Sequence, residues 1–294
     1  MELINPALNH HSPVSSSKGT LSTPIMKEPS RWLKSVVKLA KEAGRRVLTI
    51  YQSDFRVGVK DDKSPLTAAD LASHHCLVEG LSRLSSVYPI LSEESKEVAY
   101  KERSAWETYW LIDPLDGTKE FIKRNGEFTV NIALVHQNRS VLGVVYAPVL
   151  DVCYFGAENC GAFKQTNGGA YEVINVRMPA PGKPIVVGSR SHGSADVSSY
   201  LAKLSSYELR SIGSSLKFCL VAEGQADLYP RLGLTSEWDT AAAQCVVEAA
   251  GGKVTDLAGK PLRYNTKESL LNPYFLAYGD GSRDWLSYAM DRVA

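Results

Sequence analysis

The chain lacks three features that would each point to a particular class of protein. It has no apolar run approaching the roughly 20 residues that a membrane-spanning helix needs. Its formal net charge of +1 over 294 residues leaves no global basic field of the kind that binds nucleic acid. Its five cysteines are odd in number and show no CxxC spacing, which favours free thiols in a reducing compartment over disulfides or a zinc site. We therefore expect a cytoplasmic protein that has no transmembrane segment and binds no nucleic acid.

Residues 1–28 are poor in large apolar side chains and rich in Ser, Pro, Asn and His. They lack the charged-then-apolar order of a secretory signal. This composition predicts a disordered N-terminal extension.

Beyond that extension, the hydrophobic pattern predicts alternating helices and strands. Apolar residues recur at helical spacing over 32–51, and lysine and arginine form a stripe on another face. That stripe is typical of a solvated face, although an anionic membrane surface is the alternative. A charged segment at 57–65 predicts a mobile loop, and Thr67 then opens a helix that runs to about 84. Further strands are predicted at 90–92, 128–134, 141–146, 152–155 and 185–187, and further helices at 195–204, 216–224 and 240–250.

A segment rich in proline and glycine at 178–184 is the best candidate for a boundary. It divides the chain into an N-terminal α+β unit, residues 29–182, and a C-terminal α/β unit, residues 183–294. Helices that alternate with strands favour a layered α/β architecture.

The most informative stretch is DPLDGT at residues 113–118, directly after the apolar run at 109–112. Pro114 removes a backbone donor and fixes φ, and Gly117 permits a tight approach, so the chain can curl there. Both aspartates and the carbonyl of Leu115 can then face one point, and oxygen-only ligands suit a hard cation such as Mg²⁺. A lone DxxDG is more commonly a plain turn, so the hypothesis needs support from other segments.

Three other carboxylates stand at the edges of predicted elements. Asp70 follows Thr67 by three residues, which resembles a capping box. Glu93 follows a short predicted strand and could be an exposed strand end. Asp239 directly precedes an alanine-rich helix, as an N-cap residue would. Each has a structural explanation by itself, but together with the two aspartates of DPLDGT they indicate a shared acidic site.

Four segments in combination resemble the inositol-monophosphatase superfamily of metal-dependent phosphatases. They are LSEE at 91–94, WLIDPLDGTKEF at 110–121, EWDTAAA at 237–243 and VVEAAGG at 246–252. The KEF ending of the second segment, where inositol monophosphatases usually carry TNF, is similar to the 3'(2'),5'-bisphosphate nucleotidase branch. The resemblance runs from about residue 30 to the C-terminus. It implies a layered αβαβα sandwich of the inositol-monophosphatase and sugar-phosphatase type.

The resemblance also implies two or three Mg²⁺ ions, with ligands assigned by position. The first ion would be held by Glu93, Asp113 and the carbonyl of Leu115, and the second by Asp113, Asp116 and Asp239. Asp70 would contact a third, weaker ion or its water. Because like charges raise each other's pKa, five carboxylates around one pocket need such cations to stay ionised.

The implied catalytic residues are Asp70, Glu93 and Thr118. Glu93 would accept the proton of an activated water, or Thr118 would orient that water with Asp70 behind it as the base. Both routes stay open at this point. The backbone amides of Gly117 and Thr118 would bind phosphate oxygens.

The second half supplies the implied substrate contacts. His192 resembles a nucleotide contact, Ser214 and Lys217 match a Ser-x-x-Lys pair that holds a second phosphate, and Arg231 matches a further base or phosphate contact. Asp239 is expected to touch substrate as well as metal. An isolated histidine or a lysine on a helix is often an ordinary surface or core residue, and that explanation also applies to His192 and Lys217.

The expected activity is Mg²⁺-dependent removal of the 3'-phosphate of adenosine 3',5'-bisphosphate, giving AMP and phosphate, with 3'-phosphoadenylyl sulfate as a second substrate. The resemblance places this reaction in sulfate activation and implies inhibition by Li⁺. It also implies loose association with the inner membrane face. For the oligomeric state, a monomer or homodimer is expected.

Other activities fit the sequence less well. Haloacid-dehalogenase phosphatases need an aspartate where Pro114 stands, and neither a GxSxG elbow nor a GxxxxGK[ST] loop occurs. An inositol or sugar phosphatase on the same scaffold is the nearest alternative. A non-enzymatic module that senses nucleotide or metal is the alternative from another class.

Overall fold

The computed structural model describes residues 29–59, 65–189 and 195–292. The predicted extension at 1–28 lies outside this part of the chain. In the described ranges, no helix is long and apolar enough to cross a membrane. The helices are α1 (Ser30–Tyr51), α2 (Ala68–Leu84), α3 (Tyr100–Arg103), α4 (Thr118–Ile122), α5 (Ala195–Ala202), α6 (Leu216–Ala222) and α7 (Glu237–Ala249), followed by a 3₁₀ segment, Ser287–Arg292.

The strands form a short ribbon and two larger sheets. The ribbon pairs β1 (Val57–Val59) with β2 (Pro65–Thr67) in antiparallel fashion. The large sheet has the order β3 (Ile90–Ser92), β4 (Thr108–Asp116), β5 (Thr129–His136), β6 (Arg139–Ala147), β7 (Val152–Ala157), β8 (Gly161–Thr166), β9 (Tyr171–Ile174). The β3–β4 pair is parallel, and the other neighbours in this sheet are antiparallel.

The second sheet has the order β11 (Glu208–Ile212), β10 (Ile185–Ser189), β12 (Leu228–Arg231), β14 (Phe275–Tyr278), β13 (Lys253–Asp256). Strand β10 is parallel to both of its neighbours, whereas β14 is antiparallel to both of its own.

These elements stack in five layers, so the predicted αβαβα sandwich is confirmed. Helices α1 and α2 cover one face of the large sheet, and α6 and α7 lie between the two sheets. Helix α5 and the 3₁₀ segment cover the outer face of the second sheet. The residues of β5 are buried because both faces of this strand are covered. Val130 and Ile132 pack towards α1 and α2, and Ala133 and Val135 face the middle layer.

Glycine lets α7 approach the large sheet closely. A Cβ atom on Gly143 of β6 would lie 2.0 Å from the carbonyl oxygen of Ala242 in α7, a separation that no real atom pair of this kind adopts. Helix α7 therefore packs directly on the strand backbone at this point.

The first helix agrees with the sequence pattern. The residues at helical spacing, such as Val36, Val37 and Ala40, are buried, while Lys34 and Lys38 are exposed. The predicted short strand before Glu93 and the predicted helix from Thr67 are also present as β3 and α2.

Two local predictions need correction. The segment 57–65 is not a loop throughout, because its ends form β1 and β2; residues 60–64 lie outside the described ranges. Helix α7 begins at Glu237 instead of residue 240, and its N-cap is Ser236 instead of Asp239. Ser236 has the extended backbone of an N-cap, and Asp239 in the first turn accepts a hydrogen bond from its N–H at 2.8 Å. Asp239 therefore completes a capping box with Ser236.

The predicted boundary at 178–184 falls between the last strand of the large sheet and the first strand of the second sheet. Helix α7 nevertheless packs against strands of both sheets, so the two halves share the middle layer. The division at residue 182 stays a prediction.

Candidate metal centre and phosphate pocket

The site begins where β4 leaves the large sheet. Its pairing with β5 shifts register between Asp113 and Asp116, because Pro114 has no N–H to donate to the ladder. The carbonyl of Pro114 accepts a hydrogen bond from Oγ of Ser73 in α2 at 2.7 Å. Gly117 then turns the chain into α4 with a φ of +96°, a conformation that favours glycine. The predicted curl after the apolar run is therefore present.

Three carboxylates converge beside this turn. Oxygen atoms of Glu93, Asp113 and Asp239 all lie within 4.8 Å of one another. Glu93 follows β3, the parallel neighbour of the strand that carries Asp113, and Asp239 lies in the first turn of α7. Small adjustments can bring oxygens at this separation onto one cation with bonds of about 2.0–2.1 Å. The structure thus brings together three of the five acids that the sequence predicted to meet.

Burial and mutual repulsion act on these acids in the same direction. Asp113 is 1% exposed, and burial, followed by the charges of Glu93, Asp116 and Asp239, raises its pKa well above the ordinary range. Burial, followed by the charges of Asp116 and Glu93, likewise raises the pKa of Asp239. Ionised carboxylates at this density need cations beside them, and an all-oxygen donor set suits a hard ion. The residues present therefore fit a centre for divalent cations such as Mg²⁺.

Asp116 reaches the same cavity from the other end of DPLDGT. Its Oδ2 accepts a hydrogen bond from the backbone N–H of Ser215 at 2.6 Å and lies 2.7 Å from Oγ of Ser215. Nδ2 of Asn131 lies 3.4 Å from the same oxygen. Sequence reasoning missed both partners. Asn131 gave a signal, since it is the polar residue in the otherwise apolar run 130–135; Ser215 gave none beyond its place next to the Ser214 motif.

Asp70 holds two different groups. Its Oδ2 accepts hydrogen bonds from the N–H and the Oγ1 of Thr67 at 2.7 and 2.6 Å, so the predicted capping box at the start of α2 is confirmed. Its Oδ1 accepts a hydrogen bond from Oγ1 of Thr118 at 3.3 Å. The same Thr118 hydroxyl lies 3.4 Å from the carbonyl oxygen of Leu115. Asp70 therefore fixes the helix start and also orients the Thr118 hydroxyl.

A cavity of about 270 Å³ opens beside the acidic cluster. Acidic residues and the turn after β4 form one wall, and polar or basic side chains of the second half form the other. Its predicted site residues are Glu93, Asp116, Gly117, Thr118, Ser214, Lys217, Arg231 and Asp239. His192, the remaining predicted substrate contact, lies outside the described residues.

Lys217 is a buried cation in the second wall. It is 5% exposed, and burial lowers its pKa to about 8, although the charge of Asp116 acts in the opposite direction. Its Nζ donates to the carbonyl of Ser214 at 2.6 Å and lies 5.4 Å from the ring centre of Tyr229. A bound anion would favour the charged form of this amine.

Arg231 lies in the same wall. Its Nη2 donates to the carbonyl of Leu234 at 2.6 Å. Its Nε is buried and, among the described residues, has no hydrogen-bond partner. A buried donor of this kind is normally satisfied, so Arg231 fits an anionic or polar ligand that enters the cavity.

A second cavity of about 670 Å³ adjoins the first and shares Ser189, Tyr229, Arg231 and Leu234 with it. Apolar side chains such as Val197 and Leu201 of α5 also line it. A ligand that places a phosphate in the first cavity has room for a larger, partly apolar group in the second.

Comparisons with known proteins agree with this geometry. The sequence model of the inositol monophosphatase family matches residues 28–280. A 3'(2'),5'-bisphosphate nucleotidase named CysQ, from Salmonella typhimurium, is 52% identical over 245 residues, which are 83% of this chain and 98% of the relative. The solved structure of CysQ from Bacteroides thetaiotaomicron matches with a TM-score of 0.74 at 43% identity, covering 85% of this chain and 97% of that one. An inositol monophosphatase from Anabaena matches with a TM-score of 0.71 at 28% identity, covering 90% and 96%.

The chain belongs to the inositol monophosphatase family. The family is metal-dependent, and the acidic cluster described above is the corresponding feature of this chain. The resemblance to the 3'(2'),5'-bisphosphate nucleotidase branch, inferred from the KEF segment, is also confirmed.

Proposed function

We propose that the protein is a Mg²⁺-dependent phosphatase that removes the 3'-phosphate of adenosine 3',5'-bisphosphate and releases AMP and phosphate. 3'-Phosphoadenylyl sulfate is its second substrate. The names of the relatives support this reaction. The observation that carries the proposal is that one cavity combines an acidic cluster with the buried cation Lys217 and the half-buried cation Arg231.

The two walls of the cavity match two different parts of such a substrate. The acidic wall would hold the divalent cations and therefore faces the phosphate that is cleaved. Lys217 and Arg231 receive the second phosphate, because hydrogen bonds from a cationic donor to a phosphate are stronger than neutral ones. The nucleoside extends into the adjoining cavity of about 670 Å³.

The ligand assignment follows the sequence prediction. Glu93, Asp113 and the Leu115 carbonyl would hold one cation, Asp113, Asp116 and Asp239 would hold the second, and Asp70 would contact a third ion or its water. Divalent cations, when bound, lower the pKa of a coordinated water and neutralise charge on the transferred phosphoryl group.

The protein's own residues position the water and the phosphate. The Thr118 hydroxyl, held by Asp70 at 3.3 Å, orients the attacking water. The proton goes either to Glu93 directly or to Asp70 through Thr118. The amides of Gly117 and Thr118 bind phosphate oxygens at the start of α4.

Substitutions at Thr118 separate the two proton routes. The route through Asp70 needs the hydroxyl, so Thr118→Val should lower kcat by about 10²-fold or more, and Thr118→Ser should restore it. A Thr118→Val enzyme with nearly normal kcat would favour direct transfer to Glu93.

Steady-state phosphate release tests the substrate assignment. The bisphosphate should give a kcat/KM at least tenfold above that for inositol 1-phosphate at saturating Mg²⁺, because only the bisphosphate engages both walls; each factor of ten corresponds to about 1.4 kcal/mol. A preference for inositol 1-phosphate would support the alternative, an inositol or sugar phosphatase, which the 28% identical Anabaena structure makes the nearest rival. Tight binding without phosphate release would favour a non-enzymatic sensor.

The cellular setting is part of the proposal. The bisphosphate is a by-product of sulfate activation, so the enzyme acts there, in the cytoplasm, as a Li⁺-sensitive monomer or homodimer.

Loose association with an anionic membrane would use the basic face of α1, where Lys38, Lys41 and Arg45 line one shallow pocket. Wild-type protein should then pellet with acidic liposomes at low salt, and Lys38→Glu with Arg45→Glu should not. No pelleting of the wild type would remove the membrane proposal.

A further inference from the structure

Ser215 lies where the turn after β4 meets the start of α7, and it is 2% exposed. Its backbone N–H donates to Oδ2 of Asp116 at 2.6 Å. Its Oγ lies 2.7 Å from that oxygen and 2.8 Å from the backbone carbonyl of Asp239. One residue therefore contacts two of the assigned metal ligands, one from each half of the chain.

A series of hydrogen bonds sets the direction in which Ser215 donates. Nδ2 of Asn131 donates to Oγ of Ser215 at 2.9 Å. The amide of Asn131 is itself oriented, because Oγ1 of Thr129 donates to its Oδ1 at 2.9 Å. Since the Ser215 oxygen already accepts from Asn131, its single proton is available for the acidic side of the site. The carboxylate of Asp116 is the stronger of its two nearby acceptors, because it carries charge.

These contacts determine which oxygen Asp116 offers to a cation. Two short hydrogen bonds from Ser215 engage Oδ2, so Oδ1 is the oxygen left for coordination. Single-oxygen coordination suits Mg²⁺, which demands near-ideal octahedral geometry. Hydrogen bonds to the other oxygen keep such a ligand in its orientation.

A helix-capping role does not account for the Ser215 hydroxyl. Ser215 is the N-cap of α6, yet its side chain makes no capping hydrogen bond. Its side-chain bonds run to Asp116, Asn131 and the Asp239 carbonyl instead.

We infer that Ser215 is a positioning residue for the second divalent cation. It holds Asp116 in a single orientation and links that ligand to the helix that carries Asp239. This inference rests on the proposed metal-dependent function, and it adds a residue that contacts neither the cation nor the reacting atoms.

Calorimetric titration of the full-length, chelator-stripped protein with Mg²⁺ alone tests the inference. Residues that hold metal ligands in place are worth about 10- to 100-fold in metal affinity. Ser215→Ala removes the hydroxyl bond to Asp116 but keeps the bond from the backbone N–H, so it should weaken one class of Mg²⁺ site by about tenfold, the lower end of that range. The other class should change less than about twofold, since its ligands keep their partners. Ser140→Ala, the same change at a buried serine of β6, is the matched control and should leave both classes unchanged.

Kinetics supply the second readout. The Ser215→Ala enzyme should need a correspondingly higher Mg²⁺ concentration for half-maximal kcat, while the KM for the nucleotide at saturating Mg²⁺ stays near the wild-type value. If Ser215→Ala does not fold, Ser215→Cys, which keeps a side-chain donor but a weaker one, should show the same loss of Mg²⁺ affinity.

Two outcomes would overturn the inference. Wild-type Mg²⁺ affinity in a folded Ser215→Ala or Ser215→Cys protein would overturn it alone and leave the proposed function standing. Absence of Mg²⁺ binding by the wild-type protein would overturn it together with the proposed function, so the two failures are distinguishable.

Discussion

The two walls of the cavity carry opposite charges, yet burial acts on both in the same sense. In the acidic wall, burial and like-charged neighbours raise the pKa of Asp113 and Asp239. In the cationic wall, burial lowers the pKa of Lys217 to about 8. Each wall is therefore driven towards its neutral form when the cavity is without ligands.

The opposite charges of the two walls indicate which ligands would stabilise the charged forms of their side chains. The acidic wall needs positive charge and the cationic wall needs negative charge, so a divalent cation and a phosphate stabilise different walls of one cavity. The charge of Asp116 also raises the pKa of Lys217, against the effect of burial, which shows that the walls are close enough to influence each other. Substitutions and metal removal can test each wall separately.

Asp113→Asn should nearly abolish turnover while leaving the fold intact. The amide keeps the shape but removes one charge from the acidic cluster that Asp113 forms with Glu93 and Asp239. We expect a rate below about one thousandth of wild type, or roughly 4 kcal/mol of lost transition-state stabilisation. Phosphate-release assays and circular dichroism check this, with Asp54→Asn, an exposed aspartate, as the control. Near-normal turnover by folded Asp113→Asn would refute the metal assignment.

Metal removal should lower thermal stability as well as activity. Mg²⁺ at about 100 times its dissociation constant stabilises the folded state by about 2.7 kcal/mol, which for a chain of 294 residues shifts Tm by about 4 °C. Thermal melts with Mg²⁺ and with chelator measure the shift. If chelation changed neither Tm nor activity, the acidic wall would not bind a catalytic metal.

Lys217→Ala tests the cationic wall. Loss of a charged hydrogen-bond donor, worth about 1.5 to 3 kcal/mol, should raise KM about 10- to 100-fold for the bisphosphate and much less for a nucleotide with one phosphate. Lys260→Ala, at an exposed lysine, is the control. Equal changes for both substrates would remove Lys217 from second-phosphate recognition.

The pH dependence of KM sharpens the same point. Lys217 is charged in the free protein only below about pH 8, so KM for the bisphosphate should rise above that pH, by up to about tenfold per unit. Stability should follow the opposite course. The folded state releases this proton near pH 8 whereas the unfolded state keeps it to about 10.4, so the free energy of unfolding should increase between these values.

That gain in stability should be absent from Lys217→Met, which has no titrating amine. Chemical denaturation of both proteins with chelator present, at pH 7.5 and pH 9.5, measures the difference. Parallel pH profiles of the two proteins would show that the burial of Lys217 has no such effect.

Local patterns in the sequence predicted the local structure well. The spacing of Val36, Val37 and Ala40 predicted which face of α1 is buried. The DPLDGT segment predicted the curl after β4, because proline and glycine restrict the backbone through their own chemistry. The resemblance to a known family supplied the convergence of Glu93 and Asp239 on that turn, which spacing alone does not define.

Contacts between distant segments were the part that sequence patterns could not supply. The hydrogen bonds from Ser215 to Asp116 join segments 99 residues apart, and no periodicity links two such positions. The prediction that Asp239 is an N-cap residue was wrong for a similar reason. A carboxylate before an alanine-rich run predicts an N-cap, but the helix already begins at Glu237, because Ser236 and Asp239 satisfy each other's backbone and side chain.

The contact between Gly143 and helix α7 means that strand β6, which does not line the cavity, helps to set the position of a predicted metal ligand. Ala242 lies one helical turn beyond Asp239, so the thickness of the strand backbone sets how deeply the carboxylate reaches into the cavity. A methyl group added at Gly143 would push α7 away from β6. The carboxylate of Asp239 would then move out of the cavity, although every residue that lines the cavity stayed the same. Variants of this enzyme with impaired catalysis and an unaltered cavity sequence should accordingly be sought on the face of the large sheet that touches α7.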